Sequence, residues 1–216
     1  MWEDIYRNEI DKVGSIQRYF DIRIQHKKSF LNTLRRYITP TSKIIEAGCG
    51  TGCVTIQLAQ ETQSEVIGID VDTNMLRLAN EISNEINLSK PPKFMEHSLF
   101  SLNEYWGDEY FDLCYNRGVL EHFSDEKIIE GINQMLTISK TVVISLPTQY
   151  FSSNEGTGDE RYLSVEEWNN LIKSANGEMV EHYFHHRESV LKRILNYKKY
   201  FKPKPYLVIV IKKSKV

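Results

Sequence analysis

The sequence lacks any run of about eighteen or more consecutive apolar residues, roughly the minimum for a membrane-spanning helix. It also lacks an excess of one charge, because 27 basic and 29 acidic residues give a formal net charge of −2. That balance provides no overall attraction to nucleic acid or to an anionic membrane. The composition, 41% hydrophobic and 26% charged, is that of an ordinary globular protein. We therefore expect no membrane partner.

Cysteine is scarce, with only Cys49, Cys53 and Cys114 in the chain. Three cysteines make no disulfide framework, and no paired set of Cys and His residues completes a zinc site. We expect three small buried thiols in a reducing compartment, and hence a cytoplasmic protein. The first six residues, acidic and aromatic, are also unlike a secretory signal peptide.

Apolar residues recur at helical spacing through the first forty residues, and Pro40 ends that run. The pattern then predicts strands over 43–47, 65–70, 93–96, 110–115, 141–145, 179–185 and 206–211, and helices over 53–60, 73–88, 125–139 and 165–175. Strands that alternate with helices predict an α/β fold with a parallel sheet. No repeat divides the chain, so we expect a single domain over 1–216, with a helical cap over 1–40 and an α/β core over 41–216.

A glycine-rich turn follows the first predicted strand, in the sequence Glu46-Ala47-Gly48-Cys49-Gly50-Thr51-Gly52. Glycine lets the backbone turn tightly and approach a ligand where a Cβ would clash. The following helix directs its free N–H groups and the positive end of its dipole at the same place. Asp70 ends the second predicted strand, where its carboxylate is placed to accept hydrogen bonds from ribose hydroxyls.

Two classes of ligand use this arrangement, and the spacing favours one of them. A dinucleotide site requires Gly-x-Gly-x-x-Gly, whereas Gly52 comes one residue early here. The Glu46 carboxylate would repel a pyrophosphate, but it suits a ligand with an ammonium group nearby. The motif resembles motif I of the class I S-adenosylmethionine-dependent methyltransferases. The alternatives are a nucleotide-dependent oxidoreductase and a structural glycine turn without a ligand.

The resemblance covers about residues 43–147. Residues 110–123 are similar to motif IV of the small-molecule branch of that family, which includes quinone-biosynthesis methyltransferases, and residues 70–76 and 144–147 are similar to further parts of the same branch. The resemblance implies a Rossmann-like, seven-stranded, mostly parallel sheet of order 3-2-1-4-5-7-6, with helices on both faces. The antiparallel seventh strand would be 206–211.

The resemblance also implies S-adenosyl-L-methionine as cofactor, with S-adenosyl-L-homocysteine as product. Asp70 would bind the ribose, and Val71 and Met75 would flank the adenine. The family usually has an acidic residue for the adenine amino group where this chain has Ser98, with Glu96 in a shifted register as the alternative. The implied cofactor-binding residues are Glu46, Gly48, Cys49, Gly50, Gly52, Asp70, Val71, Met75, Ser98, Leu99, Asn116, Tyr19 and Arg23. The last two lie one helical turn apart, as candidates for the cofactor carboxylate.

Motif IV also excludes several substrates. Enzymes that methylate exocyclic amines of DNA bases have Asp/Asn-Pro-Pro-aromatic where this chain has Asn116-Arg117-Gly118-Val119. A cytosine-C5 enzyme requires a Pro-Cys dipeptide, which the chain lacks. Metal-dependent catechol enzymes require carboxylates around the end of the fourth strand, where Asn116 stands. We therefore expect no metal.

His122 is the candidate general base, because it lies just past the fourth strand, where acceptors bind in this fold. Its neighbour Glu121 is expected to orient it or a polar acceptor. The alternative is that both residues support the loop, since the resembling branch has Glu-His here with varied acceptors. Residues 156–164 are a candidate lid over the acceptor, or a plain connection.

These features predict a methyltransferase that transfers a methyl group by in-line displacement to an O, N or C nucleophile of a small molecule. A non-catalytic cofactor-binding or protein-interaction module with this fold is the first alternative, and a nucleotide-dependent oxidoreductase is the second. Nucleic acid is not the expected partner, although the basic residues from Arg187 onward leave a tRNA acceptor open. The sequence does not identify the acceptor or the oligomeric state, since acceptor specificity lies in loops and cap helices.

Overall fold

Seven strands form a single sheet in the structure, a computed structural model that describes residues 2–150, 158–185 and 206–214. The strands are β1 (Lys43–Ala47), β2 (Glu65–Asp70), β3 (Lys93–Glu96), β4 (Leu113–Arg117), β5 (Val142–Pro147), β6 (Gly177–His185) and β7 (Tyr206–Lys213). Their order is 3-2-1-4-5-7-6, and β7 runs antiparallel to both β5 and β6 while the other pairs are parallel. The predicted order and the antiparallel seventh strand are confirmed.

Helices cover both faces of the sheet. Those within the described residues are α1 (Trp2–Val13), α2 (Ile16–His26), α3 (Lys28–Arg35), α4 (Cys53–Glu61), α5 (Thr73–Ile86), α6 (Leu102–Tyr105), α7 (Asp125–Ile138) and α8 (Val165–Ser174). Neighbouring residues of β1 point to opposite faces. Ile44 packs with residues of α3 and α4, whereas Ile45 packs with residues of α7 and α8. Because both side chains are fully buried, β1 is a central strand.

The N-terminal helices pack beside the glycine turn. Tyr19 and Phe20 of α2 form one buried cluster with residues of α4 and α5, which follow the turn and β2. In α3, Phe30 meets the Tyr115 ring of β4 edge-on, with 6.0 Å between the ring centroids. Lys27 joins the two helices, and its backbone N–H donates to the Ile24 carbonyl at 3.0 Å. Polar side chains of α2 are thereby held over the carboxyl ends of β1 and β4.

The structure corrects the bounds of several predicted elements, including those of β4 and α5. β4 begins at Leu113 rather than at residue 110, because the Asp112 side chain accepts the Lys43 amide at 3.0 Å and Phe111 forms only an isolated bridge. The strand continues to Arg117, which brings that residue into the sheet. Helix α5 ends at Ile86, two residues early, because Asn87 adopts a left-handed conformation with φ 52°.

Within the described residues, no helix is long and apolar enough to cross a membrane. Two parts of the sequence analysis fall partly outside those residues. They are residues 156–157 of the candidate lid, and the basic residues from Arg187 to Lys204 together with Lys215.

The buried aromatic contact of α3 gives the first testable prediction. Phe30→Ala is expected to lower the free energy of unfolding by about 3–5 kcal/mol, since the side chain is fully buried and leaves a cavity. Phe184→Ala, in the edge strand β6, is the matched control because Phe184 is 40% exposed. Urea unfolding of both variants measures the difference. Equal losses would contradict the packing of α3 against the sheet.

Candidate active site

The site lies at the carboxyl ends of β1, β2 and β4. The glycine turn after β1 is fastened to β2, because the Gly48 and Cys49 amides both donate to the Ile69 carbonyl, at 2.8 and 2.9 Å. Helix α4 begins directly after the turn, with Gly52 as its N-cap. The first turn of α4 therefore directs its amides toward the same end of the sheet.

The three glycines of the turn all have positive φ, but they have different neighbours. A Cβ on Gly48 would overlap Val119, and a Cβ on Gly52 would lie 2.5 Å from the Phe94 ring. A Cβ on Gly50 would meet only the end of Met75, at 4.0 Å. Gly48 and Gly52 are thus required by protein packing, whereas Gly50 borders open space in which a ligand can approach the backbone.

Asp70 ends β2 with its carboxylate already oriented. One carboxylate oxygen accepts the Gly50 amide at 2.8 Å, and the other accepts the Asp72 amide at 3.0 Å. A carboxylate has about four acceptor positions, so Asp70 keeps acceptor capacity for hydroxyl groups. Val71, next along the chain, is 68% exposed, and Met75 of α5 is buried below the open space beside Gly50.

Glu46 is buried under the N-terminus of α4. Its Oε2 accepts the Thr55 amide at 3.2 Å, the Tyr115 hydroxyl at 3.0 Å and the Thr55 hydroxyl. Burial raises the pKa of Glu46, while the Thr55 hydroxyl and the Lys27 ammonium oppose that shift. Within the described residues Oε1 accepts no hydrogen bond, so one oxygen anchors the helix and the other is available to a ligand.

Three further predicted residues surround the turn. Asn116, at the end of β4, donates through Nδ2 to the Ala47 carbonyl at 2.7 Å, and its buried Oδ1 has no partner. The Ser98 hydroxyl accepts the Phe100 amide at 3.1 Å, which caps a short 3₁₀ turn after β3. Leu99 is buried within that turn. Ser98 is therefore partly occupied by a structural role, and its predicted contact with adenine stays a prediction.

Helix α2 contains Tyr19 and Arg23, the residues predicted to bind the cofactor carboxylate, and that contact stays a prediction. The Tyr19 side chain is 2% exposed, and burial raises its pKa while the Arg23 guanidinium opposes that shift. Arg23 lies against two aromatic rings, with its Cζ 5.3 Å from the Tyr6 centroid and 5.7 Å from that of Tyr19. Among the described residues, the Tyr19 hydroxyl and Arg23 Nε have no hydrogen-bond partner, although Arg23 Nη1 pairs with Glu9 at 3.5 Å.

Lys27 is a buried titratable residue next to the predicted site that sequence analysis did not single out. It is 8% exposed, and burial lowers its pKa from 10.5 to about 7, assisted by repulsion from Arg23 and Arg117. The sequence could have indicated Lys27 through its spacing, since it follows Arg23 by one helical turn and Tyr19 by about two. Nothing in the local sequence separates this buried lysine from its exposed neighbour Lys28.

His122 and Glu121 follow β4 in a short 3₁₀ turn, and no hydrogen bond joins their side chains within the described residues. His122 Nδ1 lies 3.0 Å from an Asp159 carboxylate oxygen, so Asp159 is the residue that orients the imidazole. Glu121 is 3% exposed, its Oε2 has no partner, and burial raises its pKa to about 7. The catalytic assignment of both residues stays a prediction.

Arg161 fastens the segment from residue 158 onward to the loop after β4. Its amide donates to the Glu121 carbonyl at 2.9 Å, its guanidinium donates to the Phe123 carbonyl at 2.7 Å, and the same group pairs with Asp125 at 2.6 Å. Asp159 is thereby brought to His122, and Glu160 lies nearby.

The potential metal-ligating atoms of His122, Asp159 and Glu160 lie within 4.8 Å of one another. Exposed acidic groups often cluster without an ion, so the prediction of no metal stays a prediction.

Sheet order, glycine turn and the acidic residue at the end of β2 together define a class I methyltransferase fold. The family model described as a methyltransferase domain matches residues 44–141. Together with the relatives and solved structures below, this match confirms the predicted resemblance to the class I S-adenosylmethionine-dependent methyltransferases.

Two plant methyltransferases are similar in sequence to this chain. The chloroplastic magnesium protoporphyrin IX methyltransferase of Arabidopsis thaliana is 29% identical over 156 residues, which cover 69% of this chain and 47% of that protein. Phosphoethanolamine N-methyltransferase 1 of the same plant is 27% identical over 103 residues, which cover 48% of this chain and 20% of that protein. The chain thus spans less than half the length of these two relatives.

Solved structures share the fold. The magnesium protoporphyrin IX methyltransferase of Synechocystis PCC 6803, solved with bound SAH, superposes with a TM-score of 0.64. The superposition covers 91% of this chain and 87% of that chain, at 16% identity. At that identity the likeness concerns the fold alone.

The buried lysine predicts a pH dependence of stability. Unfolding restores the ordinary pKa of 10.5 from about 7, so between these values the unfolded chain binds one proton more than the folded chain. The free energy of unfolding should therefore rise with pH in this window, by at most about 1.4 kcal/mol per pH unit from this group. Lys27→Met is expected to remove that slope, and the exposed Lys28→Met to keep it. Urea unfolding at several pH values measures both; equal slopes would contradict burial of the ammonium.

Proposed function

We propose that this chain binds S-adenosylmethionine and transfers its methyl group to an O, N or C nucleophile of a small molecule. The observation that carries the proposal is the open space beside Gly50, bordered by the oriented Asp70 carboxylate. A larger residue at position 50 would fill that space, although protein packing does not require glycine there. The combination suits a ligand that presents ribose hydroxyls next to a closely approached backbone.

The residues present fit the cofactor. Asp70 would hold the ribose hydroxyls, and Val71 and Met75 would lie along the adenine. The available Oε1 of Glu46 would accept the ammonium group, and the partnerless Arg23 Nε would donate to the carboxylate. Asp70 and Glu46 would thus accept hydrogen bonds from donor groups of the cofactor, and Arg23 would donate to an acceptor group.

The cofactor supplies a methyl group that is already activated by its sulfonium. The chain's own task is to align the acceptor, exclude water and remove a proton where the acceptor is not basic. His122, oriented by Asp159, is the proposed proton acceptor, and the buried Glu121 is the second candidate. A pKa of Glu121 of about 7 suits a group that exchanges a proton near neutral pH.

The small-molecule acceptor is supported by the names of the relatives, which act on magnesium protoporphyrin IX and on phosphoethanolamine. We place the acceptor under a roof formed by the cap helices in residues 1–40 and by the segment after β5, as parts of one domain. Residues 151–157 of that segment lie outside those that the structure describes. A cytoplasmic location stays a prediction from the free thiols.

The cofactor assignment is tested by calorimetric titration of the purified protein with S-adenosylhomocysteine. Asp70→Ala is expected to weaken binding about 10- to 100-fold, because hydrogen bonds to a charged acceptor contribute about 1.5–3 kcal/mol each. Glu65→Ala, which removes a carboxylate from the opposite end of the same strand, is the matched control and should bind like the wild type. Thermal unfolding of each variant checks that the fold is retained. Preference of the wild-type protein for NAD would overturn the proposal in favour of an oxidoreductase.

The proton-transfer assignment is tested by His122→Ala. We expect turnover to fall about 10²- to 10⁴-fold while S-adenosylhomocysteine affinity changes little, because general base catalysis acts on the acceptor alone. Formation of S-adenosylhomocysteine with a panel of small-molecule acceptors measures turnover. Normal turnover of the variant would remove His122 as the base. Cofactor binding without turnover of the wild type on any acceptor would favour a non-catalytic module.

A further inference from the structure

The Lys27 amine is a buried basic group for which the described part of the chain supplies no direct partner. The residue is 8% exposed, at the junction of α2 and α3. Within the part of the chain that the structure describes, its ammonium makes no hydrogen bond and no ion pair. A buried ammonium without a partner loses its hydration and gains nothing in return, so this arrangement lowers the stability of the free protein.

The charges that surround Lys27 come from four elements and do not neutralise it. Arg23 on α2 and Arg117 at the end of β4 repel the ammonium, whereas Glu46 on β1 and the Cys53 thiol at the start of α4 favour it. Glu46 is the one carboxylate among these groups, and its Oε2 is already used by α4 and β4. Arg23 also pairs with Glu9, at 3.5 Å. The basic side chains near Lys27 therefore still outnumber the carboxylates.

The proposed cofactor does not correct this excess. S-adenosylmethionine has one carboxylate, but it also has an ammonium and a sulfonium, so its binding adds one net positive charge. Arg23, whose Nε is buried without a partner, is the group proposed for that carboxylate. An anion that balances Lys27 must therefore come from the other substrate.

We propose, resting on the methyltransferase function above, that Lys27 binds an anionic oxygen group of the methyl acceptor, a carboxylate or a phosphate. Arg23 and Arg117 contribute the positive field that makes the pocket selective for an anion. An ammonium in a pocket of low dielectric binds an oxyanion more strongly than it would in water. Holding one end of the acceptor in this way also restricts the orientation of its nucleophile.

The proposal predicts that an anion and a proton bind together. A neighbouring anion raises the pKa of Lys27 from about 7 toward its ordinary value. At about pH 8 the free protein holds Lys27 largely uncharged, so anion binding should take up close to one proton. A lysine with a merely structural role would produce no such uptake.

The test uses protein saturated with S-adenosylhomocysteine, titrated by calorimetry at about pH 8 with sodium acetate and, separately, with inorganic phosphate. Two buffers of different ionisation enthalpy measure the proton uptake. We expect at least one anion to bind with uptake, and the tighter of the two identifies a carboxylate or a phosphate acceptor. Lys27→Met should weaken that binding by about tenfold or more and abolish the uptake.

Two further variants control for charge and for folding. Lys27→Arg keeps the cation and should bind the anion without proton uptake, because a guanidinium stays charged. Lys28→Met changes the next residue of the chain, which is exposed, and this variant should bind the anion like the wild type. Equal anion binding by wild type and Lys27→Met, or no binding of either anion by the wild-type complex, would overturn the proposal.

One outcome separates this inference from the proposed function. If the anions bind only in the absence of S-adenosylhomocysteine and compete with it, Lys27 belongs to the cofactor carboxylate; the inference then fails while the proposed function stands. If S-adenosylhomocysteine itself does not bind, the proposed function fails and the inference falls with it.

Discussion

The Asp70 carboxylate connects the end of β2 to the glycine turn after β1, and the shape of the site depends on this link. Its hydrogen bonds to the amides of Gly50 and Asp72 orient both carboxylate oxygens. The Ile69 carbonyl adds two more bonds to the same turn. The two carboxylate bonds contribute about 1.5–3 kcal/mol each and the two carbonyl bonds about 1 kcal/mol each. Together they hold three positive-φ residues in place and leave the Gly50 backbone facing open space.

Two buried charges next to this turn are compensated very differently. Glu46 receives three hydrogen bonds on one oxygen, two of them from Thr55 in the first turn of α4, where the helix dipole also favours a negative charge. The Lys27 ammonium receives compensation only from a distance. Since a buried charge is tolerated mainly when it is paired, this difference supports our proposal that Lys27 binds a ligand.

Sequence analysis succeeded where the structure follows from local pattern. β1, β2 and β3 lie where the apolar runs and the glycine turn predicted them, because strand burial and turn geometry are properties of short segments. It failed where partners come from distant parts of the chain. Asp159 reaches His122 only because Arg161 fastens its segment to the loop after β4. No spacing rule connects residues that lie 37 positions apart.

The charged side chains near the site, rather than the fold, would determine which acceptor is methylated. The sheet and the glycine turn are shared with structures at 16% identity, so they describe how a cofactor is held and not what is methylated. The basic side chains that distinguish this region from an apolar pocket lie instead on α2, at the junction with α3, and at the end of β4. Because α2 packs on α4 and α5, which follow the turn and β2, the cations of the cap are held rigidly against the cofactor site. An acceptor selected there would need its own anionic group at a fixed distance from the methyl donor. Neither the glycine motif nor motif IV imposes this geometric requirement.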